Sequence, residues 1–404
     1  MDNNFKIRIS FFVFMLPIVH VMANITTNYY DPGTLNPGFI RSIYILAVIL
    51  LTFYKSNIPA KSLFIITIVF LSYNFILVTL NENLLIPLIN FFRLALPILL
   101  FFVGYSVINS KEKIDKLFKY YLLAMVLFFL NIIIANIFGI GESQYIDDTF
   151  YMGGARVGSA NELGVYILIA LAFLLTSNQR KWKWFTILLI AGSTIIILVS
   201  MRRGAYLTLG GGMMIFTYLV GLERKKILYY LFLAGVILMA LYPFYSTPFI
   251  ERYEHRKISR EGSLMNIETE GRFIELEDVP VSLSAGGVQK WLTGTHNLNS
   301  ETYWHGRELH VGYLAILHGS GLIGLGLFML LIYALFNKGR RVYLRSINSQ
   351  YNKTLLALYF SLIISLLFYL VTSRMHGFSL VAPAFLMMGS IMGTITKNTD
   401  IRLE

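Results

Sequence analysis

Apolar residues in this chain fall in long blocks rather than in alternation, and the blocks set the reading. Crossing about 30 Å of hydrocarbon takes about 20 residues of helix, with tilt widening the range. Runs of that kind fall at 9–24, 39–54, 62–80, 84–108, 117–139, 161–177, 184–200, 205–221, 227–247, 309–337, 354–373 and 377–395. The pattern predicts an all-α polytopic membrane protein with about 12 transmembrane helices. The runs 39–54 and 205–221 are among the shorter ones. Lys6 and Arg8 ahead of the run Ile9–Ala23 have the look of a signal peptide. Further spans follow at once and no A-x-A site is present, so this run reads as an uncleaved first span.

One gap between apolar runs is unlike the others. Residues 249–308 are polar, and every other gap is shorter. The stretch Phe249–Gly321 holds five of the seven histidines, His255, His296, His305, His310 and His318. It also holds ten of the 22 carboxylates. The chain therefore reads as one integral membrane domain, 1–404, with a large loop at 249–308 inserted between the ninth and tenth spans.

Composition agrees with this reading. Charged residues are 14% of the chain, against about a quarter in soluble domains, and mean hydropathy is +0.63. There are no cysteines, which excludes disulfides, thiolate metal sites and a cysteine nucleophile. The net charge of +12 does not point to nucleic acid, because cytoplasmic loops of membrane proteins collect Lys and Arg. With both termini cytoplasmic, 21 of the 34 basic residues fall on inner segments and every inner loop is basic. The large loop then lies outside.

Eleven basic residues lie against that grain, on the outer side: Arg156, Arg202, Arg203, Arg374, and seven in the large loop including Arg272. Nine of the eleven are arginine. A guanidinium stays charged and grips phosphate with two parallel hydrogen bonds, so these positions suggest an anion held at the outer membrane face. Three stretches frame the idea. Arg156-Val157-Gly158-Ser159-Ala160-Asn161-Glu162 leads into the sixth span. Ser200-Met201-Arg202-Arg203-Gly204 forms the turn between spans seven and eight, where a helix N-terminus already favours an anion. The large loop carries Gly271-Arg272 and ends at His310, an imidazole suited to accepting a proton near neutral pH.

These residues resemble the O-antigen polymerase and O-antigen ligase superfamily of bacterial envelope glycan enzymes. The matching features are Arg156, Gly158 and Asn161 before a span, Arg202-Arg203-Gly204 at an S-R-[GA] turn, and Gly271-Arg272 in a periplasmic loop. The most specific is the run from His310 to Leu325, an H-x-x-Y-L-x-x-L-x-x-x-G-L-I-G-L pattern that includes Tyr313. The four features keep the family's order over residues 150–330. Arg stands in place of Ser at 202, and Val311 follows the histidine where the family often has Asn. A common acidic position is Gly319.

The resemblance implies metal-independent glycosyl transfer, without a cofactor, at the periplasmic face of the bacterial inner membrane. The donor is an oligosaccharide on undecaprenyl diphosphate. The acceptor is a second lipid-linked repeat unit for a polymerase, or lipid A–core for a ligase, and Val311 favours the polymerase. His310 activates the acceptor hydroxyl and Arg272 acts with it on the reacting diphosphate. Arg156, Asn161, Arg202, Arg203, Glu308 and Tyr313 bind diphosphate or glycan, and a chain-length regulator is a further expected partner. A flippase for the same lipid-linked sugar is the reading from another class, although no internal repeat marks a carrier.

Other features carry blander readings. The spacings among His305, His310 and His318 do not place them as i, i+4 ligand pairs. Arg93, inside the fourth span, either meets a lipid phosphate or ties helices together. Gly210-Gly211-Gly212 reads as close helix packing.

Overall fold

The computed structural model describes residues 3–27, 36–55, 60–81, 84–138, 159–177, 179–200, 203–221, 271–296, 309, 311–346, 349–373 and 378–398, with isolated positions at 239, 246 and 250. Among the described residues there are thirteen helices and no strand. In chain order they are α1 (Asn3–Thr27), α2 (Pro37–Lys55), α3 (Lys61–Thr79), α4 (Leu85–Val107), α5 (Lys111–Phe138), α6 (Ser159–Thr176) and α7 (Arg180–Ser200). Then come α8 (Arg203–Val220), α9 (Gly271–Ala285), α10 (Gly287–Thr293), α11 (Gly312–Ser346), α12 (Gln350–Thr372) and α13 (Phe378–Asn398).

Nine of the described helices are long and apolar enough to cross a membrane, and α6 and α8 supply shorter apolar stretches. With no water to satisfy backbone groups inside a bilayer, helices that bond internally are the expected solution. The described residues are all-helical, and the chain is a multi-pass membrane protein. Each apolar run in the sequence coincides with a helix except 227–247, which lies almost wholly outside the described residues.

Between apolar helices in lipid, packing rather than water expulsion holds the bundle, and small residues allow close approach. Gly389 and Gly393 of α13, one turn apart, meet the backbone carbonyls of Phe101 and Tyr105 on α4, and Gly104 of α4 meets Leu386 on α13. At these glycines the two backbones meet directly. The glycine run of α8 also packs closely: Gly211 faces the Phe368 ring of α12, and Gly212 faces Ser365 of α12 and Leu168 of α6. Ser365 Oγ donates to Thr208 O at 2.9 Å, a bond between α12 and α8.

One end of the bundle collects lysines. Lys111 lies over the Tyr351 ring at 4.6 Å and Lys119 over Trp182 at 5.3 Å, joining the starts of α5, α12 and α7. Lys113 Nζ donates to Val107 O at 3.0 Å, the last turn of α4, where a cation favours the helix dipole. The candidate chemistry lies at the opposite end.

Candidate functional site

At that opposite end α9 and α10 lie on the first part of α11. Glu275, Val279 and Leu283 recur at i, i+4 and i+8, so they share one face of α9. Val279 and Leu283 are buried against Leu309, Val311, Leu314 and Ala315. Glu275, only 6% exposed, accepts a hydrogen bond from Val311 N at 3.0 Å. A helix leaves its first N–H groups without internal partners and gains from a nearby negative charge. Glu275 meets both needs for α11 from another helix. The contact joins the helix that begins Gly271-Arg272 to the residue next to His310 in the chain.

The α11 helix is broken at Gly321, whose φ of 67° and ψ of −169° are non-helical. Without a Cβ, glycine adopts this conformation readily. The break opens room for α10: a Cβ on Gly321 would collide with the Leu292 carbonyl and Thr293 N. Gly294, at φ 71°, meets the backbone of residues 319–321 just as closely. Peptide groups freed by the break find new partners. Tyr73 Oη donates to Ser320 O at 3.0 Å, and Thr295 N donates to His318 O at 2.8 Å. His318 itself is buried, with Thr295 Oγ1 3.4 Å from Nδ1 and Ser282 Oγ 3.5 Å from Nε2. Asn81 Nδ2 donates to His296 O at 2.7 Å, which ties the same segment to the end of α3. Burial pushes the His296 imidazole below its usual value.

Three residues singled out from the sequence occupy the same kind of position. Asn161, Arg203 and Arg272 lie in the first turns of α6, α8 and α9 respectively. First turns present unbonded N–H groups and the positive end of the helix dipole. The first turns of α6 and α8 are neighbours, because Gly164 packs against Ala205 and Leu209, with ideal Cβ distances of 3.6–3.9 Å. The side chains of these three residues lie outside the described set, as do Arg156, Arg202, Glu308 and His310. Tyr313 is half-buried, and its hydroxyl donates to Leu367 O of α12 at 3.1 Å. Leu367 is the neighbour of Phe368, which packs on α8, so α12 stands between the α6–α8 pair and the α9–α11 pair. Among the described residues, no three His, Asp or Glu side chains converge as a metal site would require. His305, considered above as a ligand, lies outside the described residues.

Sequence reasoning did not single out a second polar cluster, buried between α1, α2 and α6. His20 Nε2 lies 2.7 Å from Glu162 Oε1, and the two residues are 3% and 1% exposed. Tyr166 Oη donates to the same oxygen at 3.1 Å. Asn24 Nδ2 donates to Glu162 Oε2 at 3.0 Å, and Arg41 donates to Asn24 Oδ1 at 2.6 Å. Tyr121 of α5 closes the group with its ring edge on Tyr166, centroids 5.6 Å apart. Glu162 lies about 21 Å along α6 from its other end at Thr176, at about 1.5 Å per residue. The cluster is thus buried between the helices at the first-turn end of α6, away from the lysine-rich end. A signal for it exists in the sequence: His20 and Glu162 are isolated ionisable residues in apolar runs, each four residues before another polar residue.

Fold and site together define a class, the multi-pass helical membrane protein with a helical cap on one end and buried ionisable groups between its helices. Going further by likeness is not open, because no protein-family model and no curated protein matches the chain.

Proposed function

We propose that the protein is a glycosyltransferase of the bacterial inner membrane that polymerises undecaprenyl-diphosphate-linked oligosaccharide repeat units of O-antigen or capsular polysaccharide at the periplasmic face. In this reading twelve helices span the membrane, both termini are cytoplasmic, and loop 249–308 is periplasmic. The acceptor hydroxyl attacks the anomeric carbon of the donor, the bond from that carbon to the diphosphate oxygen breaks, and His310 takes the hydroxyl proton. The departing diphosphate gains charge that must be stabilised. Arg203 and Arg272 supply this with Arg156 nearby, while Arg202, Asn161, Glu308 and Tyr313 contact diphosphate or glycan.

The observation that carries the reading is the 3.0 Å bond from Val311 N to Glu275. It supports the reading because Glu275 is one helical turn from Arg272 and Val311 is bonded to His310, positions 38 residues apart in sequence. The adjoining first turns of α6 and α8 support it in the same way for Asn161 and Arg203.

The test is the lipopolysaccharide or capsule ladder of a strain lacking the gene. Loss of the ladder with core carrying one repeat unit retained supports a polymerase. Loss of all glycan-capped core with polymer left on the lipid carrier supports the ligase. An unchanged ladder would refute both. Restoring the gene with His310→Ala should leave protein level and insertion intact and abolish extension.

A second reading, a proton-coupled carrier of the same lipid-linked sugars, is favoured by one observation, the buried His20–Glu162 pair. Intramembrane acid–histidine pairs are what proton relays are made of. Proton movement coupled to sugar transport in reconstituted vesicles would support it.

A further inference from the structure

We propose that Glu162 is a positioning residue: with His20, Asn24, Arg41 and Tyr166 it clamps the first turn of α6, and so sets Asn161 for contact with the donor diphosphate. This rests on the transferase reading above. The argument begins with the number of acceptors the cluster needs. His20, Tyr166 and Asn24 all bring donors to Glu162, at 2.7, 3.1 and 3.0 Å. A carboxylate has only acceptor sites and can take all three, whereas a carboxamide offers one oxygen and two N–H donors. The sequence of bonds continues outward, since Asn24 can turn its Nδ2 to Glu162 and its Oδ1 to Arg41 only while Glu162 accepts. Asn24 Nδ2 also lies 3.3 Å from His20 Nε2. Three helices are locked through one carboxylate, and it sits in the turn that carries Asn161.

That location matters because a helix first turn binds an anion through backbone N–H groups whose direction cannot be corrected by a side-chain rotation. A misplacement of about 1 Å can cost on the order of a hundredfold in rate or binding. A carrier site would differ from a clamp, because it depends on the carboxylate standing beside His20 to exchange a proton. A clamp depends only on donors and acceptors being matched.

The two can be separated by moving the charge one link along the chain of bonds. In Glu162→Gln the amide faces Asn24 Nδ2 donor to donor, and if Asn24 turns over it abandons Arg41. In Asn24→Asp combined with Glu162→Gln, the new carboxylate at 24 accepts from the amide at 162 and from Arg41. Volume and total charge are nearly unchanged. Amides 163–166, the first to bond within α6, report on the clamp by hydrogen exchange in detergent-solubilised full-length protein. Glu162→Gln should speed their exchange by about tenfold to a hundredfold, the scale of a lost charged hydrogen bond. It should raise KM for undecaprenyl-diphosphate-linked donor several-fold with kcat within about twofold. The double variant should return both towards wild type. Unchanged exchange in Glu162→Gln, a fall in kcat with KM unchanged, or a double variant no better than the single one would overturn the proposal. Wild-type protein that transfers no sugar from the donor would remove its premise. That failure is seen before any substitution is made, while the exchange result still judges the clamp by itself.

Discussion

Replacing Gly321 with alanine should release α10 from α11. Its φ of 67° with ψ of −169° lies in a region that costs a residue with a Cβ about 1–3 kcal/mol. The added carbon would also collide with the backbone at Leu292 and Thr293, so strain at 321 cannot be relieved while α10 stays in place. Undocking sacrifices the Tyr73 bond to Ser320 O and the Thr295 bond to His318 O, each worth about 1 kcal/mol net. Both proteins hold those bonds when docked, so the strain sets the shift: about 1–3 kcal/mol moves the docked-to-undocked ratio by about fivefold to a hundredfold, and the collision adds to it. Gly326→Ala on the same helix is the control, because nothing lies within 4 Å of a Cβ there and alanine favours a helix by up to about 1 kcal/mol. Limited proteolysis of residues 286–296 and thermal unfolding in the same detergent read the effect. Cleavage should accelerate in Gly321→Ala and stay at the wild-type rate in Gly326→Ala. Equal behaviour of the two variants would refute the account of the break.

Three further outcomes follow from single contacts. Glu275→Ala should lower stability by about 1–3 kcal/mol by leaving the Val311 N–H buried without its acceptor, while Glu275→Gln, which keeps an oxygen, should lose less than half of that; chemical unfolding distinguishes them. Gly389→Ala should destabilise by about 1–3 kcal/mol or more, because α4 and α13 must part to admit a methyl group, while Gly210→Ala, with open space around it, should be neutral; melting of both variants is the check. For His296, burial lowers the folded-state value relative to the unfolded chain, so its contribution to docking is present above the ordinary imidazole range and is lost as pH falls through the lowered value. Proteolysis of the α10 segment should therefore speed up on acidification below about pH 6, and His296→Gln should flatten that dependence; a pH profile identical in both proteins would refute it.

The helices were legible because a span needs an unbroken apolar block, and eleven such blocks recur as helices at nearly the expected bounds. Their ends were less so: α5 begins at Lys111, ahead of the apolar run, where the Lys111 ammonium lies over the Tyr351 ring of α12. The break at Gly321 was invisible for a different reason. Apolar residues continue on both sides of it, and only the approach of α10 makes a straight helix the worse choice. For α9, the spacing of Glu275, Val279 and Leu283 held the information, but it sat in a loop judged by its polarity. The His20–Glu162 pair was not readable as a pair, because residues 142 positions apart meet only through tertiary packing. Of the candidate site, the sequence positions of Asn161, Arg203 and Arg272 acquired a common meaning only as helix first turns.

That common meaning also bears on the arginines expected at the outer face. Four helices, α6, α8, α9 and α11, have their first turns near one end, in two neighbouring pairs on either side of α12. Each first turn carries a partial positive charge of about half a unit, so the end attracts anions before any side chain is counted. Topology lysines there would be redundant for orientation and costly beside aligned dipoles unless an anion offsets them. At the other end the relation is reversed, and Lys113 reaches across from α5 to the final carbonyls of α4, where a cation is favoured. Arg203 and Arg272 belong to two of those first turns, and a diphosphate bound at that end would offset their charge together with that of the dipoles. If so, a soluble diphosphate such as inorganic pyrophosphate should protect the protein against thermal unfolding, by an amount that falls as salt is raised. Removing both arginines should abolish that protection and, without the ligand, raise rather than lower the melting temperature. A melting temperature lowered by Arg203→Ala with Arg272→Ala in the absence of anion would mean that these side chains serve the fold and not a ligand.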